Sequence, residues 1–286
     1  MKDPARRRSP ALISVVITTY NREDALDAAL SALSAQSDRG FEIVVADDGS
    51  GSQTRAVVER WHARLVVPIS HVWQPNAGFR AAEIRNRAIL ACRGDYCIFL
   101  DGDCLARADF IACHRALAEP GWFVTGNRVL LSAGVTAAVL RDGLHPERWT
   151  AADWMMRRMR GDANRLAAVL PLPLGPLRKL AARSWRGARS CNLAIWRCDL
   201  ERVDGLDASF RGWGREDSDL LIRLLHCGVC RKDGRFATGV IHLWHPDANR
   251  EDLKANDARM QSALDNKRTR AARGLSALRE TASLPE

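Results

Sequence analysis

Apolar and polar positions follow two rhythms over the first hundred residues. Leu12 to Asn21 is a β-branched run ending in small polar residues, and Phe41 to Ala46, Arg64 to Trp73 and Asp95 to Leu100 are three more apolar runs. Short apolar runs bounded by turn residues predict buried strands. Between them, apolar residues recur at helical spacing. Ala25, Leu26, Ala29, Leu30 and Leu33 do so over Arg22 to Gln36, and Gln53 to Ala63 and Gly78 to Cys92 are predicted helices as well. Asn21 is placed to cap the first helix. Strand and helix alternating over short connections predict a parallel sheet with right-handed crossovers.

Polar residues gather where the predicted strands end. Thr18, Thr19 and Tyr20 leave the first, Asp47–Asp48–Gly49–Ser50 the second and Asp101–Gly102–Asp103 the fourth. Open α/β sheets bind ligands at these carboxyl ends. Asp101 and Asp103 repel each other unless a cation lies between them, and Gly102 keeps the turn tight and lets a phosphate approach the backbone. Alone, the pair reads better as a solvated turn, and the rest of the chain has to overturn that reading. The G-x-G-x-x-G and P-loop patterns are absent, so bound phosphates would need a metal and basic side chains. Arg80, Arg85 and Arg87 follow a turn at Gln74–Gly78. Helix N-termini and arginines both favour anions, with Arg87 better read as a solvated face. Asp47 offers a carboxylate to the imide or hydroxyl of a nucleoside.

The pattern changes after a helix over Arg107 to Ala118 and a strand over Trp122 to Asn127. Between Arg141 and Arg189, eleven Arg or Lys face four Asp or Glu, a local net of +7 against +9 for the chain. Trp149, Trp154, Met155, Met156 and Met159 interleave with these charges. Such a segment suits an anionic membrane surface, or equally an amphipathic insertion packed on the core. Arg189 to Arg197, with Asn192, reads as a strand entering the far side of the site. Arg211–Gly212–Trp213–Gly214–Arg215–Glu216–Asp217 then opens a helix. Trp213 offers a flat face to a sugar ring, and a carboxylate of the Glu216–Asp217 pair can accept a hydroxyl proton. Helix capping accounts for one of the two acids. Thr238 to Pro246 reads as a strand, in which His242 and His245 point to opposite faces. Both reach one metal only if the segment turns, and an imidazole ligand favours Mn²⁺ over Mg²⁺. From Asn249, Leu253, Met260, Leu264 and Leu275 are spaced like an exposed helix, and Thr281 to Glu286 reads as a frayed tail.

Composition narrows the class. The 286 residues are 47% hydrophobic and 27% charged, enough for one large α/β domain or two small ones. No run of eighteen apolar residues appears, and the first residues lack the apolar core of a secretory signal. Among eight cysteines only Cys227 and Cys230 have C-x-x-C spacing, so free thiols in a reducing, cytoplasmic setting are expected. A net charge of +9 admits nucleic acid, an anionic membrane or an anionic substrate. With no helix-turn-helix, zinc-finger or RNP pattern, no nucleic-acid partner is expected.

Four motifs in order, Ser14 to Asn21, Val45 to Ser50, Asn76–Ala77–Gly78 with Arg85–Asn86, and Phe99 to Asp103, resemble the family 2 glycosyltransferases. The resemblance implies a GT-A fold, an α/β architecture with a Rossmann-like, mostly parallel central sheet flanked by helices and a smaller acceptor-side half. It implies a nucleotide-diphosphate sugar donor, a UDP-sugar first, with Mn²⁺ or Mg²⁺ held by Asp101 and Asp103. Donor contacts are then expected at Thr18, Tyr20, Asp47, Arg80, Arg85, Asp101, Gly102 and Asp103. The Trp213–Gly214–Arg215–Glu216–Asp217 stretch resembles the W-G-x-E-D motif of chondroitin-synthase-like enzymes and β-1,4-galactosyltransferases. By that resemblance Asp217 is the catalytic base with Glu216 beside it, and Trp213, Gly214 and Asn192 line the acceptor side. His245 is the first candidate for a further metal ligand and His242 the second. Ser218 departs from the third acid of galactosyltransferases. Polypeptide N-acetylgalactosaminyltransferases carry asparagine where this chain has Asp217, so the aspartate favours inversion.

The expected organisation is a basic tail over 1–10, a GT-A domain over 11–248 and a helical extension over 249–286. Within the domain, 11–127 is the donor half, 128–188 the basic insertion and 189–248 the acceptor half. The expected function is an inverting hexosyl transfer to a glycan or glycolipid acceptor. Its expected setting is bacterial surface polysaccharide or lipopolysaccharide synthesis, peripheral at the inner face of the cell membrane. The alternatives are a nucleotidyltransferase on a similar sheet and a non-catalytic nucleotide-sugar or membrane-binding module.

Overall fold

The computed structural model describes residues 9–166, 168–247 and 249–283, so most of the basic tail and the last three residues lie outside it. The chain opens with β1 (Ile13–Thr19), α1 (Glu23–Ser34), β2 (Phe41–Asp47), α2 (Ser52–His62), β3 (Ile69–Trp73), α3 (Ala81–Ala91) and β4 (Tyr96–Asp101). Helices on both faces explain why β1, β2 and β4 are buried along almost their whole length and carry apolar residues on both faces rather than alternating. Pro68, which lacks an N–H, delays β3 until Ile69, later than the predicted Arg64. The strands pair in parallel in the order β3-β2-β1-β4. Their register opposes Thr19 to Asp47 and Thr18 to Asp101, so three polar strand ends finish level at one edge.

After β4 come β5 (Cys104–Ala106), α4 (Phe110–Leu117), β6 (Trp122–Thr125), β7 (Arg128–Leu130), α5 (Ala133–Asp142) and α6 (Ala151–Met159). The chain continues with β8 (Asn192–Trp196), α7 (Arg197–Arg202), α8 (Glu216–His226), β9 (Cys230–Asp233) and β10 (Val240–His242). Antiparallel β8 joins β4, and β6 and β9 extend the main sheet to seven strands. A second sheet, β5-β10-β7, lies beyond the D-x-D turn and sets His242 opposite Cys104.

The basic stretch is built into the fold. Its first residues form β7, which pairs with β10. Val135, Val139, Trp154 and Val169 pack in one core with Ile241 and Leu243. A Cβ at Gly239 would run into the Ala168 carbonyl, so glycine is what lets the stretch cross there. Thr150 and Asp153 close a capping box on α6, and Trp149 meets Trp154 edge-on at 4.8 Å. The outward side of α6 leaves Met155, Met156 and Met159 exposed beside Arg158 and Arg160.

Three expectations are corrected. Asn21 does not cap α1: at φ 46° its side chain accepts from Gly51 N–H at 3.1 Å, tying β1 to the start of α2. The C-terminal region is not an exposed helix, because α9 (Leu253–Asp265) and α10 (Leu275–Ser283) bury Met260 and Leu275. Asp204 anchors the start of α10 by accepting from the Ser276 amide at 2.9 Å and hydroxyl at 2.6 Å; the helix runs to Ser283, three residues into the predicted tail, and residues 284–286 of that tail lie outside the described residues.

Candidate active site

Asp101 and Asp103 sit on the tight turn between β4 and β5. Gly102 N–H donates to the Thr18 carbonyl at 2.8 Å, and a Cβ there would lie 3.0 Å from that oxygen and 3.2 Å from Thr19 Cβ. Glycine therefore lets the turn pack closely on β1. Leu243 N–H donates to the Asp103 carbonyl at 2.9 Å, and β10 ends at His242. Because the chain turns there, both imidazoles reach one carboxylate. His242 Nε2 lies 3.6 Å from Asp103 Oδ1 and His245 Nε2 lies 3.3 Å from Oδ2. One ligand atom from each of the three residues falls within 4.8 Å of the others. Burial draws the His242 imidazole down to about 4, partly offset by Asp103, so it is neutral and able to ligate near neutral pH. One carboxylate and two imidazoles form a donor set that fits Mn²⁺ better than Mg²⁺.

Asp101 is held differently. The buried Arg85 guanidinium donates to Asp101 Oδ1 at 3.1 Å, to Glu216 Oε1 at 3.1 Å and to Thr18 Oγ1 at 2.9 Å. Burial disfavours the Arg85 charge, but Asp101 and Glu216 more than compensate. Burial raises the Asp101 carboxyl above its ordinary value, with Arg85 pulling it down and Asp103 pushing it up. Glu216 is raised to about 7 through burial and the neighbouring Asp217 charge, against the pull of Arg85. Glu216 thus faces Arg85 and positions it. Asp217 is the more accessible acid; it accepts from Ser218 N–H at 2.6 Å and Ser190 N–H at 3.4 Å.

Backbone strain shapes the loop before α8. Gly212, Gly214 and Arg215 take φ values of 68°, 105° and 77°. A Cβ at Gly212 would run into Asp252, and one at Gly214 would lie 3.1 Å from Leu253, so the loop lies against the start of α9. Trp213 is half-buried beneath the Arg250 guanidinium, 5.2 Å from its ring centre.

Several expected ligand residues have other work. Asp47 is 0% exposed; its oxygens accept from Ser50 N–H at 2.8 Å and meet His71 Nε2 at 2.9 Å. Burial would raise its carboxyl, but these hydrogen bonds hold it below the usual range. No Asp47 oxygen is open to a base. Asn192 is buried as well: Nδ2 donates to the Asn127 and Thr238 carbonyls while Oδ1 meets His114, tying the start of β8 to the β6–β7 link, the segment before β10 and α4. Arg80 donates to the Pro75 carbonyl and lies 3.5 Å from Glu83. Tyr20 is exposed, its hydroxyl accepting from Asn76 at 2.9 Å. Cys227 and Cys230 are free thiols. The motif reading passed over Arg128 on β7, which lies near Asp101 and His242 with its guanidinium 3.6 Å from Cys191 Sγ. Its only sequence signal is the two-residue alternation along β7, which has meaning once the second sheet is known.

Residues 14–163, just over half of the chain, match the family model described as Glycosyl transferase family 2. The chain belongs to the family 2 glycosyltransferases. Residues 179–245 of this glycosyltransferase chain match a second model, the N-terminal domain of galactosyltransferase, which spans the Trp213–Asp217 stretch and both histidines. Validoxylamine A glucosyltransferase of Streptomyces hygroscopicus subsp. limoneus is 30% identical over 256 residues, 80% of this chain and 51% of that protein. Chondroitin synthase of Pasteurella multocida (strain Pm70) is 25% identical over 240 residues, 76% of this chain and 23% of that protein. The chain thus spans about half the length of the first relative and about a quarter of the second.

Solved structures agree on the fold. The mannosyltransferase PcManGT from Pyrobaculum calidifontis, in complex with GDP-Man and Mn²⁺, superposes with a TM-score of 0.58 at 17% identity, covering 99% of this chain and 81% of that one. S. aureus TarS 1–349 in complex with UDP-GlcNAc gives 0.58 at 15% identity, covering 89% and 69%.

Proposed function

We propose that this protein is a metal-dependent, inverting glycosyltransferase that moves a sugar from a nucleotide-diphosphate donor, a UDP-sugar first, to a hydroxyl of a glycan or glycolipid. The observation that carries the reading is the meeting of Asp103, His242 and His245 beside the carboxyl ends of β1 and β4. Mn²⁺ or Mg²⁺ held by these three residues, with Asp101 alongside, would supply positive charge against the leaving diphosphate.

The chain's own residues do the rest. Arg85 fixes Asp101 and Glu216 relative to each other. Asp217, next to Glu216 at the start of α8, takes the acceptor proton as the hydroxyl oxygen attacks the anomeric carbon. One base and a single in-line displacement give inversion. Trp213 offers the flat face on which an acceptor ring rests. Exposed Met155, Met156 and Met159 among the arginines of 141–189 support a membrane-surface setting and a role in surface polysaccharide synthesis. No helix among the described residues is long and apolar enough to cross a membrane.

Thermal-shift screening of nucleotide sugars with and without Mn²⁺ tests the reading, because a ligand that binds only the folded state raises the melting temperature. Stabilisation by one nucleotide sugar that depends on Mn²⁺ is expected. Stabilisation by nucleoside triphosphates alone would favour a nucleotidyltransferase instead. Sedimentation with vesicles tests the membrane setting: binding to anionic but not neutral vesicles is expected, and binding to neither would remove that part.

A further inference from the structure

Arg128 is a cation with unmet bonding capacity at the D-x-D site. It is half-buried on β7. Among the described residues, the Cys191 thiol at 3.6 Å is its one hydrogen-bond partner, and no carboxylate lies within ion-pairing distance. A thiol is a weak acceptor, and a guanidinium carries five N–H donors. Its Nε and second Nη are not among the buried polar atoms that lack partners, so they open to solvent rather than into the core.

The sheet register says which way it faces. Arg128 pairs with Val240, and two residues further His242 pairs with Leu130 and Cys104. Residues paired across strands share a face, and so do residues two apart along a strand. Arg128 and His242 therefore lie on one face of the second sheet, a row apart. Cys104, next to Asp103, directs its thiol at Asp103 Oδ1 from 3.7 Å.

Resting on the donor reading above, we propose that Arg128 is a further substrate-binding residue, donating hydrogen bonds to the terminal phosphate of the nucleoside diphosphate. It would add a fixed cation to the side of the leaving group that faces β7. A guanidinium fork suits two phosphate oxygens at once, and charge-assisted bonds of this kind are among the strongest in proteins. The role differs from that of Arg85, whose donors are committed to Asp101, Glu216 and Thr18.

The test is the preference for a diphosphate over a monophosphate, measured by calorimetry with UDP, UMP, GDP and GMP. Each is titrated in Mn²⁺ and again in EDTA, into wild type, Arg128→Gln and Arg128→Lys. The wild type is expected to prefer the diphosphate. Arg128→Gln should lose at least about tenfold of that preference in both conditions with monophosphate binding unchanged, and Arg128→Lys should recover part of it. A residue that only supports the fold would weaken both nucleotides alike, and that result overturns the assignment. A wild-type preference kept intact in Arg128→Gln overturns the Arg128 role alone. A wild type that binds none of the four in Mn²⁺ overturns the donor reading and this inference with it.

Discussion

Arg85 and Glu216, 131 positions apart in the chain, meet in a buried ion pair 3.1 Å long. The same guanidinium holds Asp101, so a carboxylate at the end of β4 and one at the start of α8 share one cation. Breaking a buried pair from one side costs about 3–5 kcal/mol, because the remaining charge stays desolvated. Arg85→Gln is therefore expected to lose roughly 3 kcal/mol of unfolding free energy in urea. Arg85→Lys should recover only part, since an ammonium cannot span three acceptors as a fork does. Equal urea midpoints for wild type and Arg85→Gln would sink the bridge.

The pH dependence of activity should report Glu216. Burial and Asp217 push its carboxyl up to about 7, and only its ionised form completes the pair with Arg85. The kcat/KM is expected to climb as pH rises through about 7, and Glu216→Gln should remove that limb. Stability runs the other way. The folded-state value lies above the ordinary 4.5, so this group's contribution to stability declines as pH rises from 4.5 to about 7.

Metal affinity should rank the ligands. Asp103 faces both imidazoles, whereas Asp101 is already paired with Arg85. Mn²⁺ titrated into chelator-treated protein is expected to raise the melting temperature. Asp103→Asn and His245→Ala should each weaken Mn²⁺ at least about tenfold, and Asp101→Asn less. An Asp101→Asn loss exceeding that of Asp103→Asn would reverse the proposed order.

Acid sensitivity should trace to His114. It is fully buried, and its Nε2–H donates to Asn192 Oδ1 at 3.2 Å, the amide nitrogen of Asn192 being occupied as a donor. Burial draws the imidazole down to about 3, below its ordinary 6.5. The folded state thus resists a proton that the unfolded chain accepts, and stability is lost as pH falls from 6.5 towards about 3. Glu216 contributes in the opposite direction over this window, so the readout is the difference between variants: His114→Phe should be less stable than wild type at pH 7, with a deficit in urea midpoint that narrows towards pH 5. A variant as steep as the wild type would clear His114 of the effect.

Motifs at strand ends were legible because local sequence makes them: an apolar strand must end, and Asp101–Gly102–Asp103 ends β4. The same holds for Glu216 and Asp217, fixed by the glycines before α8. The positions that stayed hidden depend on distant partners. Asp47 and Asp48 look identical in sequence, yet His71 and Ser50 occupy the first while Gln74 and the Arg80 amide occupy the second. Asn192 resembles a polar residue facing a cleft until the β6–β7 link and the segment before β10 close over it. His242 and His245 were ambiguous because strand alternation separates them, and only the end of β10 at His242 brings both to Asp103.

In the proposed reaction Asp217 removes the acceptor proton while the donor is held by other residues. Once a donor and acceptor have been found, the most direct measurement pairs turnover with donor affinity in Asp217→Asn. The amide keeps the shape and the hydrogen-bond reach but cannot take a proton. Sugar transfer is expected to fall at least about a hundredfold, with donor affinity in Mn²⁺ within about twofold of wild type. Transfer at the wild-type rate with donor binding unchanged would contradict the account.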